Sequence, residues 1–182
     1  MKPTPRLAVV RGAFLGALVM LTLGVVGVVP GPAHAAGPMV EVHRLPDLLA
    51  RARAGDRAAM HDLGQYHDTA VRRDAELAFV WFDVAATLGG ADEATHRDVV
   101  ARGLDPDALE RARARSAVAL AQVLLAVNGF DPGPIDGLAG RRTAAAVARF
   151  QRDAGLRATG RLDEPVMQAL VATPDSRRVG AR

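Results

Sequence analysis

The sequence predicts an all-α protein, and three observations carry that expectation. From Leu45 to Ala114 it reads as one helical stretch after another, with few β-branched runs. Further on, Thr143, Ala146, Val147, Phe150 and Ala154 recur at helical spacing and lay one apolar stripe along a helix. Start and stop residues bracket these stretches: Asp74, Asp105-Pro106 and Asp163 with Pro165 at the starts, Asn128-Gly129 and Gly155 at the ends.

The first element, residues 1–35, reads as an export leader. Lys2, Arg6 and Arg11 form a basic start, Ala13 to Val29 is apolar and uncharged, and Pro30-Gly31-Pro32 breaks the run. Ala33-His34-Ala35 then fits a small-x-small cleavage pattern, which places the mature start at Ala36. The run is at the short edge of the about 17–25 residues that span a bilayer, so an uncleaved anchor is the alternative. The membrane is a partner only in that case. Both options put the rest of the chain in the periplasm or cell envelope. No Cys follows the run, which excludes a lipidated anchor and, despite a permissive compartment, any disulfide framework.

The leader also decides the charge argument. The chain has 23 Lys plus Arg against 20 Asp plus Glu, and the leader holds three of the basic residues and none of the acidic ones, leaving 20 of each. A balanced mature chain lacks the basic footprint of a nucleic-acid binder, so no nucleic-acid partner is expected.

In the middle region, residues 45–115, Ala78, Phe82, Ala85 and Ala86 put small residues on one helix face, where a partner helix can approach closely. Asp74 is the expected N-cap of that helix. Leu63, Gly64, Tyr66, Val71, Asp74, Ala78, Trp81, Ala85, Ala86, Gly89 and Ala94 are spaced as in the Sel-one-like repeat, a helical-hairpin relative of the tetratricopeptide repeat, which this region resembles. The resemblance implies a concave surface for a protein partner. The family's glycine-rich turn is replaced here by His67-Asp68-Thr69-Ala70, and only one clear repeat is present, followed by the start of a second at Ala91. A single repeat buries too little by itself, so the region is expected to pack against the C-terminal module. Trp81 is read either as second-layer core or as part of a partner surface. From Asp105-Pro106-Asp107 no helix breaker occurs until Asn128, so one helix is expected to run from this region into the next with little or no linker. The boundary is placed at Ser116.

The C-terminal region, residues 116–172, reads as three helices. The first reaches Val127 and ends at the left-handed turn of Asn128-Gly129. Pro132, Gly133, Pro134 and Gly137 shape the loop that follows, with Asp136 placed to accept backbone N–H groups. The second helix runs from Arg141 to Ala154, and Gly155 ends it with Leu156 packing back over its last turn. Asp163 caps the third, where Val166, Ala169 and Leu170 face inward. A core this small supplies only about 3–5 kcal/mol, and truncating Phe150 to Ala costs about the same, so Phe150 is critical to the fold.

Gly129-Phe130-Asp131-Pro132-Gly133-Pro134-Ile135-Asp136-Gly137, followed by Gly140, Thr143, Ala146-Val147, Phe150-Gln151, Gly155-Leu156, Thr159-Gly160, Leu162-Asp163 and Leu170, closely resembles the peptidoglycan-binding-domain-like family. That resemblance implies a three-helix envelope module with peptidoglycan as ligand. Most motif positions, including Gly129, Gly137, Phe150, Gln151 and Leu170, have a structural task. The functional expectation rests on Arg141 and Arg142, which sit at a helix start, where a cation is disfavoured by roughly 0.3–1 kcal/mol. Backbone N–H groups there, with two guanidinium forks, suit a carboxylate such as those of peptidoglycan stem peptides. Asp136, Gly137, Arg141, Arg142 and Thr143 are therefore the expected border of the ligand groove. Arg149 and Arg152 read as a solvated face.

No catalytic residues are expected. Ser116 and Ser176 sit in no nucleophile-elbow context. His43, His61, His67 and His96 form no metal-ligand pattern, and Asp92-Glu93 and Asp163-Glu164 read as helix starts. No metal, cofactor or enzymatic activity is expected. The reading is a non-catalytic envelope protein that binds peptidoglycan and presents its repeat region to a protein partner, with a disordered tail over 173–182. The alternatives are an adaptor without wall affinity and an accessory subunit that activates a separate wall hydrolase.

Overall fold

Helix signals in the sequence become seven α-helices, with no strand among the described residues. The structure, a computed structural model, describes residues 38–69 and 73–173, with side chains from residue 44 onward. The leader over 1–35, the turn residue Ala70 and the tail beyond Thr173 lie outside the described residues. The helices are α1 (Pro38–Arg53), α2 (Arg57–Thr69), α3 (Ala75–Thr87), α4 (Ala91–Ala101), α5 (Pro106–Val127), α6 (Arg141–Asp153) and α7 (Glu164–Ala172). The first of them begins ahead of Leu45, where the helical region was expected to start.

Capping follows the sequence signals closely. Asp74 accepts the Leu77 N–H, Asp105 the Ala108 N–H and Asp163 the Val166 N–H, at 2.9, 2.8 and 3.2 Å. α5 and α6 end alike: Gly129 and Gly155 take φ of +83° and +70°, and the next residues, Phe130 and Leu156, donate back to Leu125 and Gln151. Both are Schellman endings, in which a residue with no Cβ turns left-handed and lets an apolar neighbour fold back. Ala154, expected to close the apolar stripe of α6, is instead exposed, because the helix stops one residue earlier and Ala154 is its C-cap.

α3 is buried nearly all round, at Ala78, Phe79, Val80, Trp81, Phe82, Val84 and Ala85, and so has neighbours on several sides. It packs on α2, α4 and α5. Trp81, 3 % exposed, belongs to the core shared by α1, α2, α3 and α5, which decides between its two readings.

α5 belongs to all three apolar cores. Ala119 and Val123 join Leu48, Ala52, Met60, Leu63 and Trp81; Ala121, Leu124 and Leu125 join Val147, Phe150, Val166 and Leu170; Ala112 joins Phe79, Phe82 and Val100. Ile135, from the loop after α5, belongs to the first of these cores, the one that also holds Leu48 and Ala52. Ser116, the expected boundary, is buried within α5, and its hydroxyl donates to Asp83 of α3 at 2.5 Å. The expectation of one continuous helix without a linker is met.

At Gly64 α2 comes close to Phe82 of α3. A Cβ there would lie 2.7 Å from two ring atoms of Phe82, which is 1 % exposed and has little room to yield. Overpacking costs about 1–3 kcal/mol and the helix-propensity gain of Ala over Gly offsets about 1 kcal/mol of it. Gly64→Ala is therefore expected to lower stability by about 1–2 kcal/mol in a denaturant titration, and adding Phe82→Leu should recover part of the loss.

Candidate functional site

One side chain fixes the loop between α5 and α6. Gln122 is 1 % exposed, yet its amide meets five partners. Its Oε1 accepts the backbone N–H groups of Asp136 and Gly137 at 3.1 and 3.0 Å. Its two Nε2 hydrogens are shared among Asp136 Oδ1 at 3.1 Å, the Leu138 carbonyl at 3.0 Å and Thr143 Oγ1 at 3.2 Å. Thr143 passes its own proton to the Pro132 carbonyl at 2.9 Å. A buried polar group is tolerable only when satisfied in this way. Gly137 is pressed so close to α5 that a Cβ would lie 2.7 Å from the Arg115 carbonyl oxygen.

The same device recurs one helix later. Gln151, also 1 % exposed, accepts the Gly160 N–H at 2.8 Å and donates to Thr159 Oγ1 at 2.9 Å. Each glutamine holds the loop that leads into the next helix, and each does so at a glycine with φ near +70°.

A second clasp ties this loop to α1. Asp131 receives Arg53 Nη2 on Oδ1 at 2.6 Å and Arg142 Nη2 on Oδ2 at 2.5 Å, and Arg53 Nη1 also donates to the Gly133 carbonyl at 2.5 Å. The Arg142 hydrogen bond first, then those of Arg53 and the Gly133 N–H, hold the Asp131 carboxyl well below the usual carboxylate range. The group is exposed, so solvent screens the clasp.

Against this geometry the five expected site residues divide. Asp136, Arg141, Arg142 and Thr143 line one hollow of about 330 Å³, with Gln122, Pro132, Pro134, Leu138 and Gly140. Gly137 does not line it and lies buried against α5. Thr143 is 2 % exposed and its hydroxyl is committed to the loop. Arg142 is spoken for by Asp131, so the pair of guanidinium forks expected at the start of α6 reduces to Arg141, which is exposed and has no ion pair among the described residues. Arg149 and Arg152 are exposed, as expected.

Sequence reasoning missed the roles of Gln122, Asp131 and Arg53. A polar residue at a core position of α5 was the available signal for Gln122; the ion pairs of Asp131 join residues 78 and 11 positions apart, which no local pattern marks. It also missed a ring cluster: His61 meets His96 edge-on at 5.1 Å, while His96 stacks on Phe82. No group of three His, Cys, Asp or Glu among the described residues could hold a metal ion. The half-buried His67 is shifted down by burial, with Asp74 opposing.

Residues 114–170 match the family described as "Putative peptidoglycan binding domain". The match begins inside α5 and ends in α7, so it takes in both glutamine clasps and the hollow. A domain of this family suggests peptidoglycan as the ligand and implies a cell-envelope location. No curated protein and no solved structure matches the chain.

Two outcomes are expected. Gln122→Leu strands the N–H groups of Asp136 and Gly137, each worth about 1–3 kcal/mol when buried and unpaired, while Thr143 keeps its bond to Pro132, so denaturant titration should show a loss of about 3 kcal/mol. For Asp131 the folded carboxyl titrates below its unfolded value near 3.9, so its contribution is complete above that value and is lost as pH falls through the folded one. Asp131→Asn should therefore melt below wild type at pH 7, with the difference closing toward pH 2.

Proposed function

We propose that this protein is a non-catalytic component of the cell envelope that holds peptidoglycan through its 114–170 module. The observation that carries the reading is the coincidence of that family match with a hollow whose rim holds an exposed arginine, Arg141, free of any ion pair among the described residues. Charge distribution supports it. Residues 114–182 contain 10 basic and 6 acidic side chains, against 10 and 14 in 36–113, so the excess of cationic residues falls in the part of the sequence that carries the match, as suits an anionic polymer. In this reading the leader exports the chain. Among the described residues no helix is long and apolar enough to cross a membrane.

The helices ahead of the module form a Sel-one-like hairpin region that offers a surface to a protein partner. Its support is the α2–α3 pairing and the outer side of α4, where Val99 is 55 % exposed.

Co-sedimentation of the purified full-length chain with isolated peptidoglycan sacculi tests the reading. The chain should pellet with the wall, and Arg141→Ala, which removes one charge-assisted contact, should weaken binding about 3- to 10-fold while leaving the helical spectrum unchanged. A folded wild-type chain that stays in the supernatant would end the peptidoglycan reading and turn the search to protein ligands.

A further inference from the structure

The hollow at Arg141 has a neighbour outside the matched family region. Leu49 and Ala50 of α1, with Arg53, Pro134, Ile135 and Asp136, enclose a second hollow of about 350 Å³. Pro134 and Asp136 wall both. Each is at the lower limit of ligand sites, about 300–1,000 Å³, whereas the two together suit an extended ligand several units long.

Their chemistries differ in a way that selects the ligand. The first offers the Arg141 cation, and beside it Asp136 Oδ2, which has no hydrogen bond among the described residues because Oδ1 takes both the Gln122 and Leu138 donors. The second is walled by Leu49, Ala50, Pro134 and Ile135, which are apolar. Neither is lined by an aromatic ring, the flat apolar surface with a polar edge on which a sugar face would stack. Acceptor, cation and small apolar recess fit a peptide that carries a free carboxylate, N–H donors and small side chains, which describes the alanine-containing stem of peptidoglycan better than its glycan.

We infer that the ligand is the stem peptide, laid across both hollows with a carboxylate at Arg141 and small side chains against Leu49 and Ile135, so that α1 forms half of the binding site. This rests on the peptidoglycan reading above and adds to it both the ligand class and a wall from outside the family match. The Arg53–Asp131–Arg142 clasp holds the two walls in register, since it joins α1 and α6 through the loop between them.

The test measures binding of the full-length chain to intact sacculi and to glycan stripped of stem peptides by an amidase. Two variants probe α1: Leu49→Asp sets a like charge against the ligand's carboxylates, and Ala50→Trp fills the recess. Both positions are exposed, and unchanged melting temperatures confirm folding. The expected result is retention on sacculi, loss of about tenfold on stripped glycan and a drop of about fivefold or more for each variant. Wild-type retention on stripped glycan, or variants that bind sacculi as wild type does, would overturn the inference while leaving the peptidoglycan reading intact. A wild type that binds neither material would overturn both.

Discussion

The structure depends on one uninterrupted helix. α5 runs 22 residues, about 33 Å at 1.5 Å per residue, and serves as a wall of all three apolar cores. A helix can serve several cores only if it is apolar on more than one side, and the alternation of Ala112, Ala119, Ala121, Val123, Leu124 and Leu125 does this with mostly small residues. The family match starts inside this helix, so the matched region continues the α5 backbone ladder that begins at Pro106 and shares side-chain packing with the helices before it. Ile135 reinforces the union by carrying the module's loop into the N-terminal core.

Within the module, order in the loops comes from buried amides. The chain has no cysteine, and a domain this small has little apolar area with which to fix a loop. Gln122 and Gln151 solve the problem alike, each presenting a carbonyl to loop N–H groups and an amide to loop acceptors. Such a group is favourable only when fully partnered, which is why neighbouring positions are so constrained: Gly137 must stay free of a Cβ, and Thr143 must relay the hydrogen bond to Pro132. What these internal demands leave uncommitted on the wall of the hollow is Arg141, Leu138, Pro134 and one oxygen of Asp136.

Much of the fold was legible because local rules and packing agree. The stripe of Thr143, Ala146, Val147 and Phe150 is buried as its period requires, and Asp74, Asp105 and Asp163 cap the helices they precede. Ala154 failed because a stripe says nothing about where a helix stops. The site was only partly legible. Spacing brought Asp136, Arg141, Arg142 and Thr143 to one hollow, but it could not tell which were already engaged, since that depends on Gln122 and Asp131. Arg53 lies outside any module pattern, and its approach to Asp131 follows from how α1 packs on α2 and α5.

The union of the two regions through α5 can be measured directly with the single tryptophan. Trp81 lies in the core that α1, α2 and α3 share with α5 and Ile135, whereas far-ultraviolet circular dichroism reports every helix. In a guanidinium chloride titration of the full-length chain, one cooperative body gives superimposable transitions by Trp81 fluorescence and by helicity. Two separated transitions, with a substantial part of the helicity lost before or after the fluorescence change, would mean that the module and the N-terminal helices fold independently and would contradict the shared helix as the organising constraint.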